Sequence, residues 1–211
     1  GPFPYSSSEV EYKNEKSGLT LGGTLVVPEG DGPFPAVLFV SGSGPQDRDE
    51  TLMGHKPFLV LADHFARHGI ASLRYDDRGV GKSQGDHFGS TVRDFASDAA
   101  AGVEFLLGIQ SVDTDRIGIV GHSEGGLMAP MVAERSEALD FLVLLAPPAV
   151  PLSQLLERQS RDLQQSLGAD PDLIEQSAEF FREDIALIQD ATIDRSALNR
   201  RLMQNWQRAK S

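Results

Sequence analysis

The stretch Gly121-His122-Ser123-Glu124-Gly125-Gly126 decides how this 211-residue sequence is interpreted. It matches the pattern G-x-S-x-G, in which a serine lies on a sharp turn between a strand and a helix. The context fits, because a strand-like run, Arg116–Val120, precedes it and a helix-like run, Leu127–Glu134, comes after it. Such a turn strains and crowds the backbone, and Gly121 and Gly125 are predicted to relieve the crowding because they have no Cβ. The stretch therefore predicts Ser123 as a catalytic nucleophile.

On both sides of this stretch, strand-like and helix-like segments alternate along the chain. The apolar run Ala36–Val40 is typical of a central parallel strand that is buried on both faces. Apolar residues at helical spacing continue from Phe58 to Phe65. Further on, we predict a strand over Ile70–Tyr75, a helix over Val92–Leu107 and a strand over Phe141–Ala146. This alternation predicts an α/β fold with a doubly wound, mostly parallel sheet and helices on both faces.

The two ends of the chain depart from that alternation. Residues 9–27 are predicted to form two strands joined by a turn at Ser17-Gly18. Residues 152–210 contain helix-like stretches near 152–167, 172–189 and 194–208, without a convincing strand. The apolar positions predicted to form a local core in this segment are Leu155, Leu156, Leu163 and Leu167. We therefore divide the chain into a sheet domain over residues 1–150 and a helical segment over residues 151–211.

A second candidate element of the site is the loop Ser41-Gly42-Ser43-Gly44, directly after the run Ala36–Val40. Attack of a serine on an acyl group creates an oxyanion in the transition state, and fixed backbone N–H groups stabilise it. One donor is predicted to be the N–H of Glu124, directly after the nucleophile, and the other the N–H of Ser43. The alternative for this loop is an ordinary flexible Gly/Ser turn.

Taken together, these motifs resemble those of the α/β-hydrolase-fold serine esterases. The similar features are the loop Ser41–Gly44, the segment Arg74–Ser83 and the stretch Gly121–Gly126. Within that superfamily, the segment Ser41–Glu50 resembles a group of bacterial acyl-ester hydrolases related to the prolyl-oligopeptidase-like branch. The resemblance covers residues 10–150. It implies an α/β-hydrolase fold, a carboxylesterase-type activity on a small acyl ester, a Ser–His–acid triad, no cofactor, and a helical cap domain formed by the segment after residue 150.

One departure from the family pattern concerns the triad, whose order in that family is serine, acid, histidine. No histidine comes after Ser123, since the five histidines are His55, His64, His68, His87 and His122. His122 is expected to point away from the nucleophile, because neighbouring side chains diverge at such a turn. No later strand-like run is present to carry the acid. We therefore expect the C-terminal part of the fold to lie outside this chain, and the chain alone to have little activity.

Two other functions remain open at this point. A serine peptidase or amidase of the prolyl-oligopeptidase-like branch would use the same triad. A non-catalytic binding protein on a hydrolase scaffold would explain the missing histidine, although the intact nucleophile elbow, Gly121–Gly126, and the intact loop Ser41–Gly44 argue against it.

A phosphate-binding loop is disfavoured, although Gly79-Val80-Gly81-Lys82-Ser83 has part of its pattern. The motif G-x-x-x-x-G-K-[ST] requires a first glycine where this chain has Asp76, and a helix where it has Gln84-Gly85-Asp86. We expect Asp76 and Arg78 to brace this loop near the site instead. No metal site is expected, because the acidic residues of the predicted loops do not show the spacing of a known set of metal ligands.

Composition excludes several classes of function. A formal net charge of −12 disfavours nucleic acid and anionic membranes as partners. The absence of cysteine excludes disulfides, thiolate catalysis and zinc–thiolate sites. No apolar run is long enough to span a membrane, and the N-terminus shows no signal-peptide pattern, which favours the cytoplasm over secretion. The chain opens on Gly1 rather than Met, so removal of a signal or an upstream domain fits as well. Apolar surface on the helical segment would favour a homo-oligomer.

Overall fold

The computed structural model describes residues 3–209, and this part of the chain contains six strands and six helices. The strands are β1 (Tyr5–Asn14), β2 (Leu19–Pro28), β3 (Phe34–Val40), β4 (Ala71–Tyr75), β5 (Val112–His122) and β6 (Phe141–Leu145). The helices are α1 (Pro57–Arg67), α2 (Val92–Leu107), α3 (Gly125–Ala133), α4 (Leu152–Ser166), α5 (Pro171–Gln189) and α6 (Arg195–Arg208). Within residues 3–209, no helix is both long and apolar enough to cross a membrane.

Each strand and helix expected from the sequence is present, and the differences lie at the ends of the elements. The largest differences are equal: β1 begins at Tyr5 rather than at residue 9, and β5 begins at Val112 rather than at Arg116. In β5, Val112 pairs with Phe34 of β3. The residues between Val112 and Ile117 are polar, so the apolar pattern did not indicate that the strand begins this early. The end of β5, which leads into the elbow, was predicted more closely.

The six strands form one sheet in the order β1-β2-β4-β3-β5-β6. β3 pairs in parallel with β4 and with β5, and β5 pairs in parallel with β6. β1 and β2 form an antiparallel hairpin, and β2 also pairs antiparallel with β4. Because parallel neighbours require crossover connections, α1, α2 and α3 link the successive strands from β3 to β6. The prediction of a doubly wound, mostly parallel sheet is confirmed.

The side chains of β3 explain why helices cover both faces of this sheet. Ala36, Leu38 and Val40 lie in one buried cluster, together with residues of α2 and α3. Val37 and Phe39 lie in a second cluster, with residues of α1. Successive side chains of a strand point to opposite faces, so an unbroken apolar run is buried on both sides. The buried strand provides a fixed base for the loop after it.

Two arginine–aspartate pairs, one partly buried and one fully buried, brace the loops at the carboxyl end of the sheet. Arg48 contacts Asp76 through two bonds, 3.0 Å from Nε to Oδ1 and 2.7 Å from Nη2 to Oδ2. Arg78 contacts Asp98 of α2 in the same way, at 2.6 Å from Nε to Oδ2 and 2.9 Å from Nη2 to Oδ1. Such bidentate pairs fix the orientation of the two side chains as well as the distance between them. The prediction that Asp76 and Arg78 brace this loop is confirmed.

Residues from Pro148 onward form a second compact unit, whose described part contains α4, α5 and α6. The buried residues of these three helices are Ala178 and Asn205. The prediction of a core at Leu155, Leu156, Leu163 and Leu167 is wrong for the last three, which are 41%, 60% and 77% exposed, whereas Leu155 is half-buried. Three helices without a sheet enclose little volume, which fits the small number of buried residues in α4, α5 and α6.

Candidate active site

Ser123 lies on the turn between β5 and α3. Its φ angle is 50°, in the left-handed region that residues with a side chain rarely adopt. The N–H of Ser123 donates to the carbonyl oxygen of Leu145 at 2.9 Å, and its own carbonyl accepts from the N–H of Gly126 at 2.9 Å. These bonds hold the unusual conformation, and backbone strain of this kind is concentrated at functional sites. The side chain is half-buried, so a substrate can reach it.

Gly121 and Gly125 permit this turn because other atoms occupy the space of their missing side chains. A Cβ at Gly121 would lie 2.7 Å from the carbonyl carbon of Gly125. A Cβ at Gly125 would meet the carbonyl oxygens of Val40 and Ser41, the latter at 2.7 Å. A larger residue at either position would therefore displace backbone. The elbow packs directly against the end of β3, which brings Ser123 beside the loop after that strand.

Hydrogen bonds fix this loop, Ser41–Gln46, along its length. The hydroxyl of Ser41 donates to Asp77 Oδ1 at 2.9 Å, and the N–H of Gln46 donates to Asp77 Oδ2 at 3.0 Å. One carboxylate thus holds both ends of the loop. Between them, the Gln46 side chain donates to the carbonyl oxygen of Ser43 at 3.1 Å. The loop is therefore not the freely flexible Gly/Ser turn that was the alternative.

Of the two amides predicted as oxyanion donors, only that of Ser43 belongs to a residue that lines the cavity beside Ser123. Within residues 3–209, no group accepts a hydrogen bond from the N–H of Ser43 or from the N–H of Glu124. The N–H of Gly42, by contrast, is occupied, since it donates to Glu50 Oε1 at 2.7 Å. Ser43 and Ser123 line a common cavity of about 310 Å³. The other residues that line it are Gly42, Gln46, Glu50, Leu52, Pro57 and His122.

Asp77 has an unusual environment for a carboxylate that holds a loop. Burial raises the pKa of Asp77 to about 7, although the hydrogen bonds from the Gln46 N–H and the Ser41 hydroxyl act to lower it. Asp98 and Glu50 add to the rise in the pKa through charge repulsion. The loop is thus held by a group whose charge changes near neutral pH.

Glu50 and His122 were not predicted as a pair, and they meet at the cavity. The Nδ1–H of His122 donates to Glu50 Oε1 at 2.7 Å. His122 was expected to point away from the nucleophile, yet its ring lines the same cavity as Ser123. The sequence signal for Glu50 was weak, because a lone acid in a polar loop is usually solvated. Here the Glu50 residue is only 6% exposed.

The segment Gly79–Ser83 has the geometry of a braced loop rather than of a phosphate site. The Lys82 ammonium contacts Glu9 Oε2 at 2.9 Å, and the Lys82 N–H donates to Asp76 Oδ2 at 3.0 Å. The next helix, α2, begins only at Val92. Across residues 3–209, no three His, Asp or Glu side chains are grouped in a way that could hold a metal ion.

Comparison with known proteins places these observations in a family context. The model of the X-Pro dipeptidyl-peptidase (S15) family matches residues 17–210. Esterase EstD of Thermotoga maritima is 40% identical over 148 residues, which make up 70% of this chain and 35% of that esterase. The chain therefore spans about a third of the length of this curated relative.

Solved structures share the fold. The α/β hydrolase GrgF from a Penicillium species is 25% identical, with a TM-score of 0.60 over 77% of this chain and 53% of that one. The Pyrococcus furiosus esterase Pf2001 is 21% identical, with a TM-score of 0.60 over 83% of this chain and 64% of that one. The α/β-hydrolase fold expected from the sequence motifs is confirmed.

Proposed function

The chain belongs to the X-Pro dipeptidyl-peptidase (S15) family of α/β hydrolases, and from this premise we propose that it is a serine hydrolase of carboxylic esters. The similarity to an esterase from Thermotoga maritima supports ester rather than peptide cleavage. The single observation that carries the proposal is the strained conformation of Ser123 beside the available amide of Ser43.

In the proposed reaction, Ser123 Oγ attacks the carbonyl carbon of a small acyl ester. The serine proton passes to a general base, and the carbonyl oxygen becomes an oxyanion. The N–H groups of Ser43 and Glu124 donate hydrogen bonds to this oxyanion, and one such donor is worth about 3–4 kcal/mol of transition-state stabilisation. The alcohol leaves with a proton from the same base, and water then releases the acid from the acyl-enzyme. The proposal requires no cofactor.

We propose that the general base and its acid come from sequence outside this chain. No histidine comes after Ser123, where the family order places it. A serine hydroxyl without a base stays protonated at neutral pH and is a weak nucleophile. The 211 residues alone are therefore expected to have little activity. Residues from Pro148 onward are proposed as the cap of the hydrolase, because they come directly after β6 and are helical.

A second candidate is a serine peptidase or amidase, which the name of the matching family favours. Ester and amide hydrolysis proceed through the same acyl-enzyme, so the elbow and the loop do not separate them. Only relative rates on matched substrates distinguish the two candidates.

The test uses the full-length gene product with a p-nitrophenyl ester and the p-nitroanilide of the same short acyl group. We expect turnover of the ester, a far lower rate on the anilide, and loss of both in Ser123→Ala by at least about 10³-fold. Anilide turnover equal to or above ester turnover would favour the peptidase. Ester turnover that survives in Ser123→Ala would refute a serine mechanism at this position.

A further inference from the structure

The carboxylate of Glu50 occupies a position that the proposed mechanism does not explain. Glu50 lies in the loop between β3 and α1, where acidic side chains are usually solvated, yet the residue is only 6% exposed. Its φ angle is 52°, in the same left-handed region as Ser123. A buried acid on a strained backbone is retained only where the surrounding structure holds it.

One oxygen of Glu50 is hydrogen-bonded both to the loop after β3 and to the residue that precedes Ser123. Glu50 Oε1 accepts a hydrogen bond from the N–H of Gly42 at 2.7 Å and another from His122 Nδ1 at 2.7 Å. Gly42 belongs to the loop after β3, and His122 directly precedes the nucleophile. Both distances are short, as expected when a carboxylate is the acceptor. The carboxylate therefore connects the backbone of the loop, at Gly42, to the imidazole of the residue before the nucleophile.

The packing at Gly42 shows how close the loop after β3 lies to Ser123. A Cβ at Gly42 would lie 3.2 Å from the Cβ of Ser123 and 3.4 Å from Nδ1 of His122. The loop thus lies in contact with the nucleophile, and a small shift of Gly42 moves the next residue, Ser43. A displacement of about 1 Å at a reacting centre can lower a rate by roughly 100-fold.

The same link selects which amide faces a substrate. The N–H of Gly42 donates to Glu50 and is not available to an oxyanion. The N–H of Ser43 remains available at the cavity. A carboxylate without hydrogen-bond donors near an oxyanion would oppose catalysis by charge repulsion. The hydrogen bonds from Gly42 and His122 partly offset the negative charge of Glu50 and so reduce this repulsion.

We propose that Glu50 is a positioning residue: by binding the Gly42 amide and the His122 imidazole together, it fixes the Ser43 amide at the distance from Ser123 that the transition state requires. The inference rests on the proposed serine esterase function. Glu50 transfers no proton in the proposed reaction. It acts through Gly42 and His122.

The variants Glu50→Gln and Glu50→Ala separate positioning from charge. The glutamine amide oxygen can accept both bonds of Glu50 Oε1 without the negative charge, whereas alanine removes both. In the full-length gene product, we expect Glu50→Ala to lower kcat for the p-nitrophenyl ester about 10- to 100-fold with little change in KM, and Glu50→Gln to stay within about 5-fold of the unmodified protein. Rates are expressed per folded molecule, with the folded fraction measured by tyrosine near-ultraviolet circular dichroism, so that misfolded molecules do not enter the comparison.

The matched control is Asp47→Ala in the same loop. Asp47 accepts bonds from the N–H groups of Asp49, at 3.1 Å, and Thr51, at 3.0 Å, and it does not line the cavity. If general order of the loop were all that mattered, Asp47→Ala and Glu50→Ala would reduce kcat alike. We expect Asp47→Ala to retain kcat within about 3-fold, because the Asp47 carboxylate makes no hydrogen bond to Gly42, Ser43 or His122.

A double-mutant cycle with His122→Ala tests the link itself. We expect the double variant to be no slower than Glu50→Ala alone, because both changes break one connection. Additive losses, equal damage by Glu50→Gln and Glu50→Ala, or a Glu50→Ala variant within about 3-fold of the unmodified protein would each overturn the inference. Ester hydrolysis that is insensitive to Ser123→Ala would overturn the proposed function as well, so the two failures are distinguishable.

Discussion

The sheet unit, up to Pro147, and the helical unit, from Pro148 onward, are stabilised in different ways. In the sheet unit, long-range pairing of strands buries apolar side chains such as Leu38 and Phe39 almost completely, and the polar groups it buries are mostly paired. In the helical unit, few side chains are buried, and solvent-accessible ion pairs among Glu157, Arg161 and Glu175 connect α4 to α5. The residues that line the cavity beside Ser123 all belong to the sheet unit.

The chain offers a separate optical probe for each unit. Its single tryptophan, Trp206, lies in the helical unit, whereas its three tyrosines, Tyr5, Tyr12 and Tyr75, lie in the sheet unit. Tryptophan fluorescence and tyrosine near-ultraviolet circular dichroism therefore report on the two units separately during unfolding. The comparison can be tested with pairs of matched substitutions, one in each unit.

The largest difference is expected for ion pairs. Arg78→Ala leaves Asp98, which is 1% exposed, as an uncompensated buried charge, and we expect a loss of about 3–5 kcal/mol in the free energy of unfolding of the sheet unit. Arg182→Ala removes contacts to Glu157 and Glu175 that are open to solvent, so the helical unit should change little. Urea denaturation of the 211-residue chain measures both. Equal losses in the two units would show that buried and solvent-accessible ion pairs stabilise this chain alike.

The next difference concerns apolar side chains. Leu38 is fully buried in β3, and Leu38→Ala is expected to lower the free energy of unfolding by about 2–5 kcal/mol through lost burial and a residual cavity. Leu167 is 77% exposed, and Leu167→Ala should stay within about 0.5 kcal/mol. The same denaturation experiment is the measurement. A large effect at Leu167 would show that this side chain is covered in solution.

Another difference between the units concerns how their stability depends on pH. The folded-state pKa of Asp77, about 7, lies above its ordinary value of 3.8, so the folded chain binds more protons than the unfolded chain between these values. Stability of the sheet unit should therefore fall as pH rises from about 4 to 7, by up to about 1.4 kcal/mol per pH unit, and Asp77→Asn should remove this slope. Urea midpoints measured at several pH values between 4 and 7 would show it. An unchanged slope in Asp77→Asn would assign the effect to another group.

The helical unit should show the opposite sign. Hydrogen bonds from Arg161 and Arg182 lower the pKa of Glu175 to about 2, from an ordinary value of 4.5. Its contribution to stability is therefore present above pH 4.5 and is lost as the pH falls toward 2. Between about pH 5 and 7 this group gives no slope, which sharpens the contrast with Asp77.

The sequence predicted the sheet unit well because its signals are local and strong. The apolar run Ala36–Val40 indicates a buried strand, and the pattern G-x-S-x-G indicates a strand, a sharp turn and a helix. The core of the helical segment was predicted wrongly, because helical spacing identifies an apolar face without showing whether anything covers it. Leu163 and Leu167 illustrate this limit.

At the candidate site, the sequence indicated Ser123, Glu124 and Ser43 through motif positions, but not the groups that hold them. Asp77 accepts a hydrogen bond from the N–H of Gln46, 31 residues earlier in the sequence. Glu50 accepts one from the N–H of Gly42, 8 residues earlier. Contacts between loops depend on how the strands bring those loops together, and no spacing rule encodes them. The buried location of both carboxylates is a tertiary property, and it became visible only in the structure.

The most direct test of the account is covalent labelling of the full-length gene product with a fluorophosphonate, combined with peptide mass spectrometry. The phosphonyl group mimics the acyl transition state, so it reacts only where an activated serine faces oxyanion donors. We predict a single adduct on Ser123 that is absent in Ser123→Ala. An adduct on another residue, or no adduct in a folded protein, would contradict the assignment of Ser123 as the nucleophile.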